Sequence, residues 1–202
     1  MALELTISNI LQFFAFISPV LLAFFLIMTS IFNQDLKGLV YLAGVLLASI
    51  VNVFLMNQIQ SGPLDGAAFS CNVFDIPMFS QYNSPSPSSL FIAFTIAYLV
   101  LPMRYNQQMN YPILIFLLCL LALDILTKVN KKCTSYGGSI LGALVGFFLG
   151  TIWYTMFHSS GYDSLLYFDE LKSNSVTCSR PSKQTFKCSV YKNGELISSN
   201  IT

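Results

Sequence analysis

The sequence predicts an all-α integral membrane protein, a helical bundle of about five spans followed by a small β-rich C-terminal tail. The first observation is a set of five long apolar runs, at residues 7–32, 38–56, 88–103, 111–127 and 137–157. A helix needs about 20 apolar residues to cross a bilayer core about 30 Å thick, and about 17 suffice. The second observation is that charged residues are only 9% of the chain, against about 25% in an average soluble domain. A soluble protein of this length could not solvate its surface with so few charges.

Charge and metal-ligand content exclude several functions. The net charge is +1, so the chain lacks the basic surface that nucleic-acid binding requires. It has one histidine, His158, and five cysteines without a Cys-x-x-Cys pair, which argues against a zinc site. We therefore expect no nucleic-acid partner, no metal and no cofactor.

The change in polarity along the chain predicts two regions. Residues 1–157 hold the five spans and a long loop at 57–87, whose aromatic residues predict packing on the bundle or at the membrane surface. Residues 158–202 are a polar tail. Pro19 interrupts the first run, which is therefore either one helix or a helix preceded by an interfacial turn.

The tail has the pattern of a three-stranded β-meander. Asn193-Gly194 is a strong signal for a two-residue hairpin turn. The register that this turn predicts pairs Lys192 with Glu195, Tyr191 with Leu196 and Val190 with Ile197.

A second turn in the tail, at residues 181–185, would bring Cys178 opposite Cys188. A disulfide between these two cysteines is one alternative, and two free thiols in a loosely ordered tail are the other. The choice depends on the redox state of the compartment.

The fifth run carries a glycine at every fourth position, namely Gly138, Gly142, Gly146 and Gly150. Such a row lines one helix face and lets another backbone approach closely. Packing within the bundle is the favoured interpretation, and an oligomer contact is the alternative.

The fourth run carries an acid near its end. Asp124 precedes Lys128 by four residues, the favourable order for an ion pair on a helix. An intramembrane carboxylate also marks proton and ion paths. An ion pair at the membrane interface is the favoured interpretation, and a small channel or transporter with Asp124 on its path is the alternative.

Two elements with a distinctive spacing open the third and fifth runs. Pro87-Ser88-Ser89-Leu90 opens the third, and Thr127-Lys128, five residues, Thr134, three residues and Gly138 lead into the fifth. Over roughly residues 38–157 this resembles the membrane core of the type 2 phosphatidic acid phosphatase family. That family has Pro-Ser-Gly-His at the first element and Ser-Arg, five residues, His, three residues, Asp at the second.

The chain departs from this family at the residues that carry its chemistry. The family's first histidine falls on Leu90, its arginine on Lys128, its nucleophilic histidine on Thr134 and its aspartate on Gly138. Histidine-based phosphoryl transfer needs one imidazole as nucleophile and usually a second as acid, and five spans place His158 across the membrane from Lys128. The resemblance therefore implies a catalytically degenerate member, a pseudo-phosphatase. A lipid phosphatase or phosphotransferase remains the alternative function.

The run at 33–44, Asn-Gln-Asp-Leu-Lys-Gly-Leu-Val-Tyr-Leu-Ala-Gly, and the Phe-, Ile- and Asn-rich style of the chain resemble membrane proteins of nucleocytoplasmic large DNA viruses. Such viruses place a bilayer beneath an icosahedral capsid. The resemblance implies a structural inner-membrane or minor capsid protein of the virion, present in a host membrane during assembly. Its expected partners are the lipid bilayer and other virion or membrane proteins, bound through the tail and the long loop.

The orientation in the membrane stays open at this level. The long loop has no basic residue, which is typical of a translocated side, but five spans place Lys128, Lys131 and Lys132 on that same side. The positive-inside rule therefore gives conflicting indications.

Overall fold

The computed structural model describes residues 6–62, 66, 71, 82–169, 187–192 and 195–201. Five helices there are long and apolar enough to cross a membrane, which confirms the predicted all-α class and number of spans. They are α1 (Ile7–Asn33), α2 (Lys37–Ile59), α3 (Pro87–Tyr105), α4 (Tyr111–Asn130) and α5 (Tyr136–Ser159).

Local sequence explains where several helices begin. The side chains of Thr6, Asn110 and Ser135 each accept a hydrogen bond from a backbone N–H in the first turn of α1, α4 and α5. These are N-caps, which satisfy backbone donors that have no partner inside the helix. Pro19 lies inside α1, which continues through it as one helix, so the first run is not a turn followed by a helix.

The third helix lies at the centre of the bundle. Of the apolar window of α3, 72% is buried, compared with 11% for α1 and for α4. The rings of Tyr41, Phe94 and Tyr98 meet in the core with centroids 5.6 to 6.4 Å apart. The outer faces of the other four helices carry most of the exposed large apolar side chains, as a lipid-facing surface requires.

The short segment after α5, which the sequence analysis assigns to the polar tail, packs with the helices. Leu166 is 1% exposed, and the Tyr167 hydroxyl donates to the Leu26 carbonyl over 2.6 Å. The Lys37 ammonium lies 2.7 Å from the Asp169 carboxylate. Burial of two large side chains in this polar stretch holds it on the bundle, and the helical unit extends to residue 172.

Residues 173–202 form a second unit. Two antiparallel strands are described in it, β1 (Lys187–Lys192) and β2 (Glu195–Ile201). Next to the turn the pairs are Lys192 with Glu195 and Tyr191 with Leu196, the register that a two-residue turn predicts.

Farther from the turn the predicted register is wrong. Val190 pairs with Ser198 instead of Ile197, because the register shifts between Val190 and Tyr191. An extra residue on one strand is a β-bulge, which the alternation of side chains does not reveal. Cys178, the turn at 181–185 and the predicted third strand lie outside the described residues, and so does most of the loop at 57–87.

Candidate functional site

Polar side chains meet where α3 begins and α4 ends. Asp124 is fully buried, and the Ser88 and Ser89 hydroxyls donate to its Oδ2 over 2.8 and 3.0 Å. The Lys128 ammonium lies 3.4 Å from Asp124 Oδ1 and donates to the Ser88 hydroxyl. Ser89 Oγ also lies 3.3 Å from Ser86 Oγ. We call Ser86, Ser88, Ser89, Asp124 and Lys128 the serine–aspartate cluster.

The cluster supplies what a buried carboxylate needs. A charge removed from water must be paired and hydrogen-bonded, and two hydroxyls and one ammonium do this for Asp124. The carboxylate also lies against the first turn of α3, the end at which a helix dipole favours negative charge. Oδ1 accepts no hydrogen bond from the described residues, so Lys128 balances it by charge alone.

The α2 helix ties the start of α3 to the same region. Asn52 is 2% exposed, and its Nδ2 donates to the Pro85 carbonyl over 3.3 Å. A polar side chain in a span thus bonds to the backbone that leads into the cluster.

Two central glycines of α5 touch the backbone of α3 directly. A β-carbon built on Gly142 would lie 2.5 Å from the Ser86 carbonyl oxygen, and one on Gly146 would collide with the Leu90 backbone. Real β-carbons do not approach so closely, so a larger residue at either position would force the helices apart. The Ser86 N–H also donates to the Gly138 carbonyl over 3.0 Å.

The outer two glycines make similar contacts. A β-carbon on Gly150 would lie 2.7 Å from the Phe94 carbonyl oxygen, and one on Gly138 would lie 2.8 Å from Thr134 Oγ1 and 3.0 Å from Ser84 Oγ. The structure therefore places all four glycines in contacts within the bundle.

The four positions that the phosphatase resemblance singles out are enclosed. Thr134 is 3% exposed and donates to the Asn83 carbonyl over 2.9 Å. Lys128 belongs to the ion pair, and Gly138 lies against Thr134. Leu90 is a core residue that packs at Gly146, about 12 Å deeper along α5 than Gly138 at 1.5 Å per residue.

The single histidine lies at the opposite end of α5. The Nδ1 atom of His158 is 2.6 Å from the Asp163 carboxylate, and the ring contacts Tyr105 and Tyr154 with centroids 4.2 and 5.5 Å apart. His158 is about 30 Å along the helix from Gly138. Its imidazole therefore cannot act on a group bound at the serine–aspartate cluster.

A disulfide between Cys71 and Cys133 was missed at the level of sequence. It joins the connection between α2 and α3 to the connection between α4 and α5, at the end of the bundle that holds the cluster. Because Cys71 and Cys133 are 62 residues apart, no local sequence pattern connects them. Cys178 and Cys188, in contrast, are linked in the sequence by a predicted turn. The available signal was topological, since five spans place Cys71 and Cys133 on one side.

Within the described part of the chain, no group of three or more His, Cys, Asp or Glu side chains could hold a metal ion. The fold and the cluster define a class, a helical membrane bundle with a buried, charge-paired polar site. Comparisons with protein-family models, curated proteins and solved structures find no match to this chain.

Proposed function

We propose that this chain is a non-catalytic structural membrane protein, an inner-membrane or minor capsid component of a large DNA virus that tethers the membrane to the capsid. The observation that carries the non-catalytic part is the mutual bonding of the serine–aspartate cluster. Its three hydroxyls, its carboxylate and its ammonium are all bonded or paired with one another.

The two cluster residues that most resemble a catalytic nucleophile and its base are Ser88 and Lys128. A serine nucleophile needs a base that removes its proton and access to substrate. Here Lys128 donates to Ser88, and Ser88 gives its own proton to a hydrogen bond with Asp124. Ser88 is also only 6% exposed. These bonds favour a structural interpretation over hydrolysis.

Deletion of residues 175–202 tests the tether. The truncated chain should still be retained in carbonate-washed membranes, because the five spans are intact. It should be lost from particles purified on a density gradient, while the full chain co-purifies with them. Equal recovery of both chains in the particles would refute a tether through the tail.

A further inference from the structure

A cavity of about 170 Å³ lies between α1 and α4, apart from the serine–aspartate cluster. It is at the end of the bundle where α4 finishes and α1 begins. Its walls are Leu11 and Gln12 of α1, Leu123, Thr127 and Asn130 of α4, and Lys131 just after α4.

The walls of this cavity change from apolar to polar along α4. Leu123 lies inside the span, and Lys131 lies about 12 Å farther along the chain direction at 1.5 Å per residue. Thr127 and Asn130 come between them. Leu11 and Leu123 are 44% and 37% exposed on the outer, lipid-facing side. This order, apolar below and polar above, matches the boundary between acyl chains and head groups.

The three lysines near the end of α4 differ in their surroundings. Lys128 is paired with Asp124, and Lys132 does not line the cavity. Lys131 lines it and has no acidic partner among the described residues. The cavity therefore presents an ammonium whose charge is not balanced by a carboxylate of the described chain.

The hydroxyl of Thr127 is a second donor without a partner among the described residues. The Thr29, Thr95 and Thr151 hydroxyls each donate to the carbonyl four residues earlier in their helix. Thr127 makes no such bond, although it is half-buried in the cavity wall. Its hydroxyl is free to donate into the cavity.

Three backbone carbonyls at the end of α4 accept hydrogen bonds, so they do not strongly repel an anion in the cavity. The Thr127, Lys128 and Val129 carbonyls accept hydrogen bonds from the N–H groups of residues 131, 133 and 132 respectively. The negative end of the helix dipole is thus partly satisfied. Lys131 supplies the positive charge in the wall of the cavity.

We propose that this cavity binds the phosphate of an anionic phospholipid. Lys131 supplies the counter-charge, and Thr127, Asn130 and Gln12 supply polar contacts. The cavity of about 170 Å³ has space for a phosphate group. The acyl chains lie outside, along Leu11 and Leu123. Basic pockets between membrane helices are known to hold lipid head groups, and this site is independent of the proposed tether.

The test uses the full chain in nanodiscs of phosphatidylcholine with a minor fraction of phosphatidylglycerol. Lipid retained after detergent extraction is counted by native mass spectrometry for wild type, Lys131→Gln and the matched control Lys132→Gln. A lysine that contacts the bound phosphate contributes about 1 kcal/mol, or about five-fold in binding, and Lys132 does not line the cavity. We expect Lys131→Gln to lower retained phosphatidylglycerol about five-fold and Lys132→Gln less than two-fold.

A second variant and a competition experiment test the proposal further. Thr127→Val keeps the shape of the side chain and removes its donor, so it should also lower retention while the fold is unchanged. Inorganic phosphate should not displace the lipid, because the acyl chains contribute to binding. Equal losses for both lysine variants, no loss for Lys131→Gln, or displacement by inorganic phosphate would each overturn the proposal.

Discussion

The two ends of the helical bundle hold their charges in different ways. At the cluster end Asp124 is fully buried and its partners are short hydroxyls and one lysine. At the histidine end, where α5 finishes, the Asp163 side chain is 46% exposed and the Asp169 side chain is 27% exposed. Exposed ion pairs contribute about 0–1 kcal/mol, whereas breaking a buried pair costs about 3–5 kcal/mol. The cluster end should therefore determine the stability of the bundle, and the histidine end should tolerate change.

The largest expected effect is the loss of one partner from the buried pair. Lys128→Met leaves the Asp124 charge uncompensated and should lower the free energy of unfolding by about 3–5 kcal/mol. The matched control His158→Gln breaks the exposed pair and should cost less than about 1 kcal/mol. Chemical denaturation in detergent measures both, and the double variant Asp124→Asn with Lys128→Met should recover most of the loss. Similar free energies of unfolding for the two single variants would contradict the expected difference in stability between the two ends of the bundle.

The covalent link at the cluster end should be next in size. Cys133→Ser removes the disulfide with Cys71 and should cost about 2–4 kcal/mol, the usual range for such a bond. Cys119→Ser is the control, since Cys119 is a free, exposed thiol and should change little. Mass spectrometry of alkylated protein should find Cys71 and Cys133 protected and Cys119 modified. Alkylation of all three without reduction would contradict the link.

The glycine contact between α3 and α5 predicts a somewhat smaller loss. Gly146→Leu would push the Leu90 backbone away and should lower stability by about 1–3 kcal/mol, the range for overpacking. Leu144→Phe enlarges a side chain that is 63% exposed on the same helix and should be nearly neutral. Thermal denaturation followed by circular dichroism compares them. Equal melting temperatures would mean that this face of α5 is not packed.

The smallest effect is expected from Tyr167 at the histidine end. Burial, with a contribution from the nearby Asp35 charge, raises the pKa of Tyr167 from 10.0 to about 12. Because the folded state holds this proton more tightly than the unfolded state, the stability it contributes is complete below pH 10. That stability is lost as the pH rises toward about 12. Tyr167→Phe should flatten this part of the stability profile, and an unchanged profile would show that Tyr167 is solvated.

Sequence alone predicts the local features of this molecule and misses the distant ones. The five spans follow from apolar length, and the glycine face follows from a four-residue spacing, because both are properties of a single helix. The bonds from Ser88 and Ser89 to Asp124 join residues more than thirty positions apart, and no periodicity connects them. In the sequence, Ser88 and Ser89 stand out only as part of the element that resembles the phosphatase family. The number of spans nevertheless predicts that they lie on the same side of the membrane as Asp124.

The segment after α5 and the hairpin register were missed for a similar reason. Leu166 and Tyr167 lie in a polar stretch, and their burial depends on space that the other helices provide. The shift beside Val190 depends on one extra residue in the opposite strand. Each outcome is decided by packing between elements, which hydropathy along one element does not report.

The central claim is that the serine–aspartate cluster serves the fold and not a reaction. Its most direct test is phosphate release from phosphatidic acid and diacylglycerol pyrophosphate by the purified full chain in detergent, against a mock preparation. The account predicts no release above the mock level for wild type. Release by the wild type that is lost in Lys128→Met or His158→Gln, with the fold of those variants verified by circular dichroism, would contradict it.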